Sequence, residues 1–467
     1  MTAEFQSIPF DPADARAALK QLPERSAVFA LYGEAAHAEP YIGRTPNLRG
    51  RLERLLLPSA KHPKRLQLAG RVRRIEWRLT GSDFESLLLQ FELLERVYGA
   101  KALERMHLGA PSFVRFLGSN RYPRVVVTNR TSLRDADWAY GPFPSRLAAE
   151  RFAEEALKLF LLRRCVEDLD PNPSHPGCVY SEMKMCLAPC YQGCTDDRYA
   201  EEAAGVERFL ATRGESRLVQ LKSQREEASA NLEFEQAAAA HAQVLKAEAV
   251  RALASELVRP LSQLRAVITQ ASAEPAEVAL FLYENGRLRG PAAFSTVGMR
   301  IQNEQSGSTS LFAQPMTLEP VPENRDQGNE GTREQESRDQ GPGTRDQDDR
   351  DKGTLLLSSG QAAGQRDNQG TDQGNKGTRE PSAKAVRGMI EARLEAALAE
   401  LSAAGEAPNA TVRQGHLALL KRWYYRPETR RPGEILFPDD DGAWPLKAIL
   451  RGVGRVAAKS LAKASSV

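Results

Sequence analysis

Hydrophobic and polar residues follow two different periods in the N-terminal part of the chain. Short apolar or alternating runs predict three strands, at residues 27–32, 40–43 and 73–80. A helix that starts near Asn47 has leucines on one face and arginines on the other. A further helix, capped by Ser82 or Asp83, carries an apolar stripe of the kind that faces a core. The pattern predicts a small α/β unit built on a short antiparallel sheet.

Helical periodicity dominates the middle of the chain and returns towards its C-terminal end. Helices are predicted at residues 146–164, 197–212, 216–255, 389–401 and 415–425. Strands are predicted at residues 264–269 and 277–283, with a turn at Glu284-Asn285-Gly286 and a return strand near 292–296. Residues 320–384 have neither period, no aromatic residues and repeated Arg-Asp-Gln-Gly segments. We expect that stretch to be a disordered, low-complexity linker.

Length and composition limit the class of protein. A chain of 467 residues indicates two to four domains, and an apolar fraction of 41% is enough for real cores. No apolar run approaches the length of a membrane span, and residues 1–12 lack the apolar run of a secretory signal. We therefore expect a multidomain α+β protein of the cytoplasm with no membrane partner.

Charge is balanced over the whole chain but not along it. Lys and Arg total 64 against 61 acidic residues, for a net charge of +3. Residues 44–74, however, hold ten Lys and Arg and the single acid Glu53. A solvated helix face is the alternative, but the lack of interleaved acids argues against it, and the patch indicates a nucleic acid partner. The candidate DNA contacts are Arg44, Asn47, Arg49, Lys61, Lys64 and Arg65.

All five cysteines lie in one short stretch. They are Cys165, Cys178, Cys186, Cys190 and Cys194, and the first four have the spacing Cys-x12-Cys-x7-Cys-x3-Cys. Four thiolates can hold a tetrahedral zinc ion or a [4Fe–4S] cluster. Disulfides and inert buried thiols are the alternatives, and a reducing cytosol argues against disulfides. The clustering favours a bound metal ion or cluster and leaves its identity open.

Several motifs in order resemble one protein family. The segment from Tyr41-Ile42-Gly43 to Arg51 resembles the second half of the GIY-YIG nuclease signature. The likeness continues in Tyr122-Pro123, in residues 140–145, in the cysteine stretch and in residues 218–250. These segments resemble the UvrC family of excinucleases, which act in bacterial nucleotide excision repair, over about residues 20–300. The resemblance implies binding to damaged double-stranded DNA and nicking beside a lesion.

The resemblance also implies a nuclease site. In the family, the tyrosine matching Tyr41 activates water against the phosphodiester, and the arginine matching Arg51 meets the developing phosphate charge. A glutamate on a later helix binds a divalent ion, Mg²⁺ or Mn²⁺, and Gln90 stands at that position here. The tyrosine of the first half of the signature is replaced by Phe29. Glu92 is a poor substitute for the glutamate, because two residues rotate it by about 200° around a helix.

A cofactor and a partner follow from the same resemblance. In the family, the residues matching Cys165, Cys178, Cys186 and Cys190 hold an iron–sulfur cluster of the [4Fe–4S] type, which leaves Cys194 spare; zinc is the alternative. Residues 231–238 resemble the UVR motif, a helical hairpin through which UvrC docks onto UvrB. Leu232 and Phe234 would supply its apolar contacts, ringed by acids. An ordinary solvated hairpin is the alternative.

The resemblance divides the chain into six parts. They are a GIY-YIG nuclease-like domain (20–105), a Cys-rich domain (106–215), a UVR hairpin (216–256), a β-hairpin region (257–319), the linker (320–384) and a small C-terminal helical segment (385–467). We expect a form truncated before the family's second, ribonuclease H-like nuclease domain. Two functions compete: an endonuclease built on Tyr41 and Arg51, and an impaired adapter, favoured by Phe29 and Gln90, that binds DNA and a UvrB-like protein. A redox-sensing iron–sulfur protein is the third possibility.

Overall fold

A computed structural model describes most of the chain. The described residues are 5–35, 38–58, 66, 68–130, 138–297, 299, 383–403 and 407–464. Met1–Gln314 and Ala383–Val467 belong to one compact unit, and the second unit, Pro315–Ser382, lies outside the described residues. The linker predicted at 320–384 therefore lies almost entirely outside them as well.

The N-terminal part is a four-stranded antiparallel sheet with helices on both faces. Its strands are β1 (Gln6–Pro9), β2 (Ala27–Tyr32), β3 (Tyr41–Thr45) and β4 (Arg74–Leu79), in the order β1-β4-β2-β3. Its helices are α1 (Ala15–Lys20), α2 (Leu48–Leu56), α3 (Asp83–Tyr98) and α4 (Lys101–Arg105). Alternation along the strands decides the faces, because Phe29 packs with α1 and α2 while Val28 contacts Leu89 and Leu93 of α3.

Side-chain caps begin the two helices that follow β3 and β4. The Asn47 side chain accepts a hydrogen bond from the Gly50 N–H at 2.8 Å, and the Ser82 hydroxyl accepts one from the Glu85 N–H at 3.1 Å. Each cap satisfies a backbone donor that the first helical turn leaves without a partner. The predicted starts of both helices are confirmed.

The middle part is a second antiparallel sheet. Its strands are β5 (Ser112–Phe116), β6 (Val125–Thr128), β7 (Ala139–Phe143) and the short β8 (Arg259–Pro260), in the order β6-β5-β7-β8. The helices α5 (Arg146–Leu157), α6 (Val179–Glu182) and α7 (Asp196–Ala211) follow β7 in the chain. Phe143, Phe152 and Phe209 join the sheet, α5 and α7 in one core. Helix α5 ends seven residues before the predicted limit of 164, and the cysteine stretch begins in the irregular chain after it.

A helical hairpin leaves this core. Helices α8 (Glu215–Ala230) and α9 (Phe234–Ala252) form it, and Asn231 is the C-cap of α8, so the helix predicted over residues 216–255 is divided into two. Leu218, Leu221 and Val244 lie in the core of the middle part. The hairpin is therefore anchored by buried apolar residues of both helices, and the loop between them lies beyond that core.

The third sheet combines a hairpin with a distant strand. Its strands are β9 (Ala266–Ala271), β10 (Glu277–Glu284), β11 (Arg287–Ser295) and β12 (Glu434–Leu436), in the order β11-β10-β9-β12. Asn285 and Gly286 form the two-residue turn with φ of 52° and 77°, so β11 starts directly after it rather than near residue 292. Helices α10 (Ala383–Ala403) and α12 (Leu446–Ala464) cover one face, and α11 (Ala410–Tyr424) covers the other. The C-terminal segment predicted as helical thus also contributes β12.

Helix α3 is shared between the first and third sheets. Its predicted stripe is buried, and Phe84 and Phe91 lie in one core with Phe281 of β10 and Trp423 of α11. The crossing with α11 is tight, because a Cβ added at Gly415 would lie 2.0 Å from the Phe91 ring. Three antiparallel sheets with packed helices agree with the predicted α+β class, and the domain limits stay predictions.

Candidate functional site

A strand and the helix that follows it bring Tyr41 and Arg51 together. Tyr41 opens β3, and Arg51 lies in the first turn of α2. The Arg51 Nη2 donates to the Tyr41 hydroxyl oxygen at 3.4 Å, a long hydrogen bond between two half-buried side chains. A guanidinium in this place can bind a phosphate and also stabilise a phenolate.

Phe29 fills the space beside this pair. It stands opposite Gly43 in the β2–β3 register, is fully buried, and its ring centroid lies 6.1 Å from that of Tyr41. A Cβ on Gly43 would come within 2.8 Å of the Phe29 Cζ, so the glycine makes room for the ring. This position therefore contributes an apolar ring and no hydroxyl group.

Gln90 lies on a different element from Tyr41 and Arg51. It belongs to α3, which packs against β2 and β3, and it is half-buried between the buried residues Leu89 and Phe91. Within the described part of the chain, no hydrogen bond or ion pair joins Gln90 to Tyr41 or Arg51. The structure thus brings two of the three predicted catalytic and metal positions into contact.

Burial raises the pKa of two carboxyl groups of α3, those of Glu85 and Glu92. Glu85 is buried, accepts a hydrogen bond from the Gly81 N–H at 2.8 Å and lies 4.0 Å from Arg78, and desolvation raises its pKa. Desolvation also raises the pKa of Glu92 to about 7, although the charge of Arg78 and of two further arginines opposes it. The positive charges of three arginines thus act on Glu92, and this setting does not favour Glu92 as a ligand of a metal cation.

The candidate DNA contacts are partly engaged inside the chain. Arg44 pairs with Asp83, and Arg49 donates to Glu24 at 2.6 Å as well as to a backbone carbonyl. Asn47 is the cap of α2. Lys61, Lys64 and Arg65 lie outside the described residues.

Four cysteines converge, and the fifth stands apart. All five are free thiols. Burial raises the pKa of Cys186 to about 11, and charge on Cys165, Cys178 and Cys190 would raise it further, so these three thiols lie within electrostatic range of Cys186. Cys194 instead interacts with Asp196 and Arg198. This grouping separates the four predicted ligands from the cysteine predicted to be spare.

The backbone of the cysteine stretch turns sharply around the sulfurs. Cys178 is the N-cap of α6, and Cys190 is buried in a short 3-10 turn. Ala188 and Gln192, on either side of that turn, have left-handed φ of 55° and 61°. The Ala188 N–H donates to the Cys186 Sγ at 3.2 Å, and such contacts stabilise a negatively charged sulfur.

The spacing of the thiols bears on what they could hold. Among the described residues, no three His, Cys, Asp or Glu side chains are close enough to share one metal ion. A single zinc ion keeps tetrahedral sulfurs about 3.8 Å apart, given a Zn–S bond of about 2.3 Å. In a [4Fe–4S] cluster each cysteine binds a different iron, so the sulfurs are farther apart. Four cysteine sulfurs are the ligand type of either centre.

The loop of the helical hairpin presents two apolar side chains to solvent. Leu232 is 71% exposed and Phe234 is 68% exposed, between Asn231 and the first turn of α9. Leu232 also has a left-handed φ of 62°, which is unfavourable for a γ-branched residue. Two apolar side chains therefore lie exposed at the turn of the hairpin, and their role in docking stays a prediction.

Comparison with known proteins matches the centre of the chain to a family. Residues 113–209 match the model of the UvrC/Cho excinuclease middle domain. UvrABC system protein C of Ruminiclostridium cellulolyticum is 28% identical over 306 residues, which are 64% of this chain and 49% of the relative. The protein of the same name from Alcanivorax borkumensis is 30% identical over 211 residues, 45% of this chain and 34% of the relative. The centre of this chain is therefore similar to the UvrC family.

The UvrC-family match covers part of each protein. The first relatives are matched over half of their length or less. A third relative, UvrABC system protein C of Escherichia coli O1:K1, is 29% identical over 231 residues, 49% of this chain and 37% of the relative. No solved structure matches the chain. The helices of the described residues include none that is both long and apolar enough to cross a membrane.

The segment that matches the UvrC middle domain, residues 113–209, contains the cysteine stretch and the strands beside it. Tyr122 donates to Asp196 at 2.7 Å, and Tyr199 donates to the Pro123 carbonyl at 2.8 Å. The rings of Tyr122 and Tyr199 meet edge to face, with centroids 5.4 Å apart. The Tyr122-Pro123 motif therefore ties the middle sheet to α7, the helix that follows the last cysteine.

Arg163 belongs to this site and was not predicted from the sequence. It is 2% exposed, and its Nη1 lies 3.8 Å from the Cys165 Sγ. An arginine two residues before the first cysteine is a visible signal, but the sequence does not distinguish it from the adjacent Arg164.

Proposed function

We propose that this chain acts in bacterial nucleotide excision repair, where it binds damaged double-stranded DNA and nicks one strand beside the lesion. The hydrogen bond between Arg51 and Tyr41 carries the proposal, because it joins a potential base to a phosphate-binding cation. The UvrABC system protein C relatives and the middle-domain match support the repair role.

The chemistry of nicking assigns a role to each residue of the site. The Tyr41 oxygen would take a proton from the attacking water, and Arg51 would stabilise the negative charge that develops on the phosphate. A bound Mg²⁺ or Mn²⁺ would supply further charge, but Gln90 offers it a neutral carbonyl oxygen where the family has a carboxylate. The rate of nicking is therefore expected to be limited by metal binding.

A second candidate function is an adapter that binds DNA and a UvrB-like protein without cutting. Gln90 and the buried Phe29 favour it, because they remove a metal-binding charge and a hydroxyl group from the site. A UvrB-like partner belongs to both candidate functions. The exposed Leu232 and Phe234 of the hairpin would offer it apolar contacts.

We also propose a [4Fe–4S] cluster in the pocket of Cys165, Cys178, Cys186 and Cys190, with zinc as the alternative. The support is that the charges of Cys165, Cys178 and Cys190 act on Cys186, so the four thiols lie near one another. Iron, sulfide and zinc analysis of protein purified without oxygen distinguishes the two, because only the cluster contains iron and sulfide.

Strand nicking of a lesion-bearing duplex tests the proposed activity. The reaction contains UvrA- and UvrB-type partners with Mg²⁺ or Mn²⁺, and compares the wild type with Tyr41→Phe and Gln90→Glu. Tyr32→Phe is the matched control, because it removes a hydroxyl group from the end of the neighbouring strand β2. We expect Tyr41→Phe to abolish nicking, Tyr32→Phe to leave it unchanged and Gln90→Glu to raise it.

The same reactions separate the two candidate functions. Nicking by the wild type that is lost in Tyr41→Phe establishes the endonuclease. Nicking by Gln90→Glu alone establishes the adapter, whose scaffold is sound but lacks the metal carboxylate. Nicking that survives Tyr41→Phe contradicts the assigned base.

A further inference from the structure

Arg163 is a buried cation without a carboxylate partner. It follows Leu162, and its side chain and backbone together are only 2% exposed. No carboxylate within the described part of the chain forms an ion pair with it, and its buried Nε has no hydrogen-bond partner. The nearest polar contact of its guanidinium is the Cys165 sulfur, at 3.8 Å from Nη1.

Electrostatics requires a compensating charge at this position. An arginine stays protonated in proteins, and removing an unpaired guanidinium from water is expensive. Neutral thiols cannot balance it. Four thiolates around a doubly charged metal centre, however, leave two net negative charges, and this holds for a zinc ion as well as for a [4Fe–4S] cluster.

The backbone fixes Arg163 against the pocket. Its N–H donates to the Tyr199 hydroxyl at 3.2 Å, and Tyr199 donates in turn to the Pro123 carbonyl at 2.8 Å. Tyr199 is itself 1% exposed. The backbone of Arg163 is therefore held by the buried frame that joins α7 to the middle sheet, and the side chain starts from a fixed, buried position.

We propose that Arg163 is the fixed counter-cation of the four-cysteine site, where it positions the Cys165 thiolate and stabilises the negative charge of the loaded metal centre. This inference rests on the metal centre proposed above. Because a neighbouring cation and its N–H groups favour the more negative redox state of a cluster, Arg163 also raises the reduction potential of a bound [4Fe–4S] centre.

Arg164 provides a matched control. It is adjacent, equally charged and half-buried, but its Nη2 donates to the Leu157 carbonyl at 2.9 Å and its guanidinium lies 5.9 Å from the centre of the Tyr180 ring. Replacing Arg164 therefore changes the net charge of the segment by the same amount without removing the contact to the sulfur.

The experiment compares full-length wild type with Arg163→Met, Arg163→Lys and Arg164→Met, each purified without oxygen. Metal content, the rate of metal loss to a chelator and the reduction potential are measured. We expect Arg163→Met to lose metal about tenfold faster and, if iron is bound, to have a more negative potential. We expect Arg163→Lys to restore part of both effects, and Arg164→Met to resemble the wild type.

Thermal unfolding is also measured with and without metal, so that the test does not depend on how much metal a variant binds. If Arg163 is a counter-cation, Arg163→Met stabilises the metal-free chain, because it removes an unpaired buried charge, and destabilises the loaded chain. Replacing a purely structural arginine would destabilise both states. That outcome overturns the proposal, as do equal metal loss and equal potential in Arg163→Met and the wild type. Wild type that binds neither iron nor zinc refutes the metal centre itself, which is a separate result.

Discussion

Desolvation, rather than the charges nearest to it, controls the pKa of the Glu92 carboxyl group. Three arginines oppose the shift, yet burial wins and raises its pKa from 4.5 to about 7. A carboxyl group with a raised pKa takes up a proton on folding between these two values. Its contribution to stability is therefore present at low pH and is lost as the pH rises through the folded pKa.

Glu92→Gln is expected to remove this pH dependence. Between pH 4.5 and 7 the folded wild type binds more protons than the unfolded chain, so its free energy of unfolding falls as the pH rises. Relative to Glu92→Gln, the wild type should lose about 3 kcal/mol between pH 4 and pH 8, at about 1.4 kcal/mol per pKa unit. Urea unfolding at several pH values measures this. The exposed Glu104→Gln is the control, and parallel curves for Glu92→Gln and wild type would contradict the assignment.

The charge pattern of residues 44–74 does not reveal which of its arginines pair with acids elsewhere in the chain. Counting charges between residues 44 and 74 finds one acid, Glu53. The folded chain supplies others from outside that window, since Arg49 pairs with Glu24 and Arg73 pairs with Glu34. Local sequence predicts the helix and its arginine face, but it does not contain the distant carboxylates that neutralise part of that face.

Single elements were predictable where their signals are local. The strands β2, β3 and β4, the caps Asn47 and Ser82 and the turn at Asn285-Gly286 all depend on residues a few positions apart. The pairings of β1 with β4 and of β12 with β9 were not predictable in the same way. Short strands carry no local record of their partner, because pairing depends on the core that the whole chain builds.

A change in the loop of the helical hairpin should affect the stability of the chain and its affinity for a partner in opposite directions. Leu232→Gly removes the unfavourable left-handed φ of 62° and should stabilise the chain by about 0.5–1 kcal/mol. The same change removes an exposed apolar contact, and affinity for a UvrB-type partner should fall by about tenfold, or about 1.4 kcal/mol. Thermal unfolding and titration calorimetry measure the two effects.

Leu245→Ala is the control for the hairpin loop. Leu245 is 53% exposed on α9, the helix that follows Leu232, and lies more than two turns from the start of that helix. It should leave partner binding unchanged. If Leu232→Gly binds the partner as tightly as the wild type does, the hairpin is an ordinary solvated one.

At the scale of the whole molecule, α3 joins the N-terminal sheet to the C-terminal helices. Its stripe predicted a buried face but not the identity of the partner, and α11 comes more than three hundred residues later in the chain. The N-terminal part therefore shares its core on that side with the third sheet and α11. Its stability should depend on the C-terminal segment.

Gly415→Ala tests this dependence at the crossing of α3 and α11. The new Cβ would lie 2.0 Å from the fully buried Phe91 ring, so the change should destabilise the chain by about 1–3 kcal/mol. Gly388→Ala is the matched change, because it is exposed in α10 with nothing within 4 Å of the new Cβ, and it should stabilise by about 0.5–1 kcal/mol. Denaturant unfolding measures both. Equal effects would show that the two helices do not depend on one another.

Helix α12 carries a second basic surface with different properties. Lys447, Arg451, Arg455 and Lys459 are exposed at every fourth position, about 6 Å apart along the axis, and the helix contains no acid. Arg455 is bound to Glu434 by two hydrogen bonds of 2.6 Å. No ion pair or side-chain hydrogen bond to another described residue engages the remaining three.

Basic side chains without a bonding partner among the described residues should therefore contribute more to DNA binding than those that already donate hydrogen bonds within the chain. Replacing Lys447, Arg451 and Lys459 with Gln should lower the slope of log affinity against log salt by about 2 to 3, since each lost phosphate contact removes about 0.9. The matched triple replaces Arg49, Arg54 and Arg73, which donate to backbone carbonyls, and should change the slope less. Fluorescence anisotropy with a duplex over a range of salt concentrations measures both slopes. A larger change in the second triple would instead identify the N-terminal basic stretch as the main DNA surface, in agreement with the pattern of charge along the sequence.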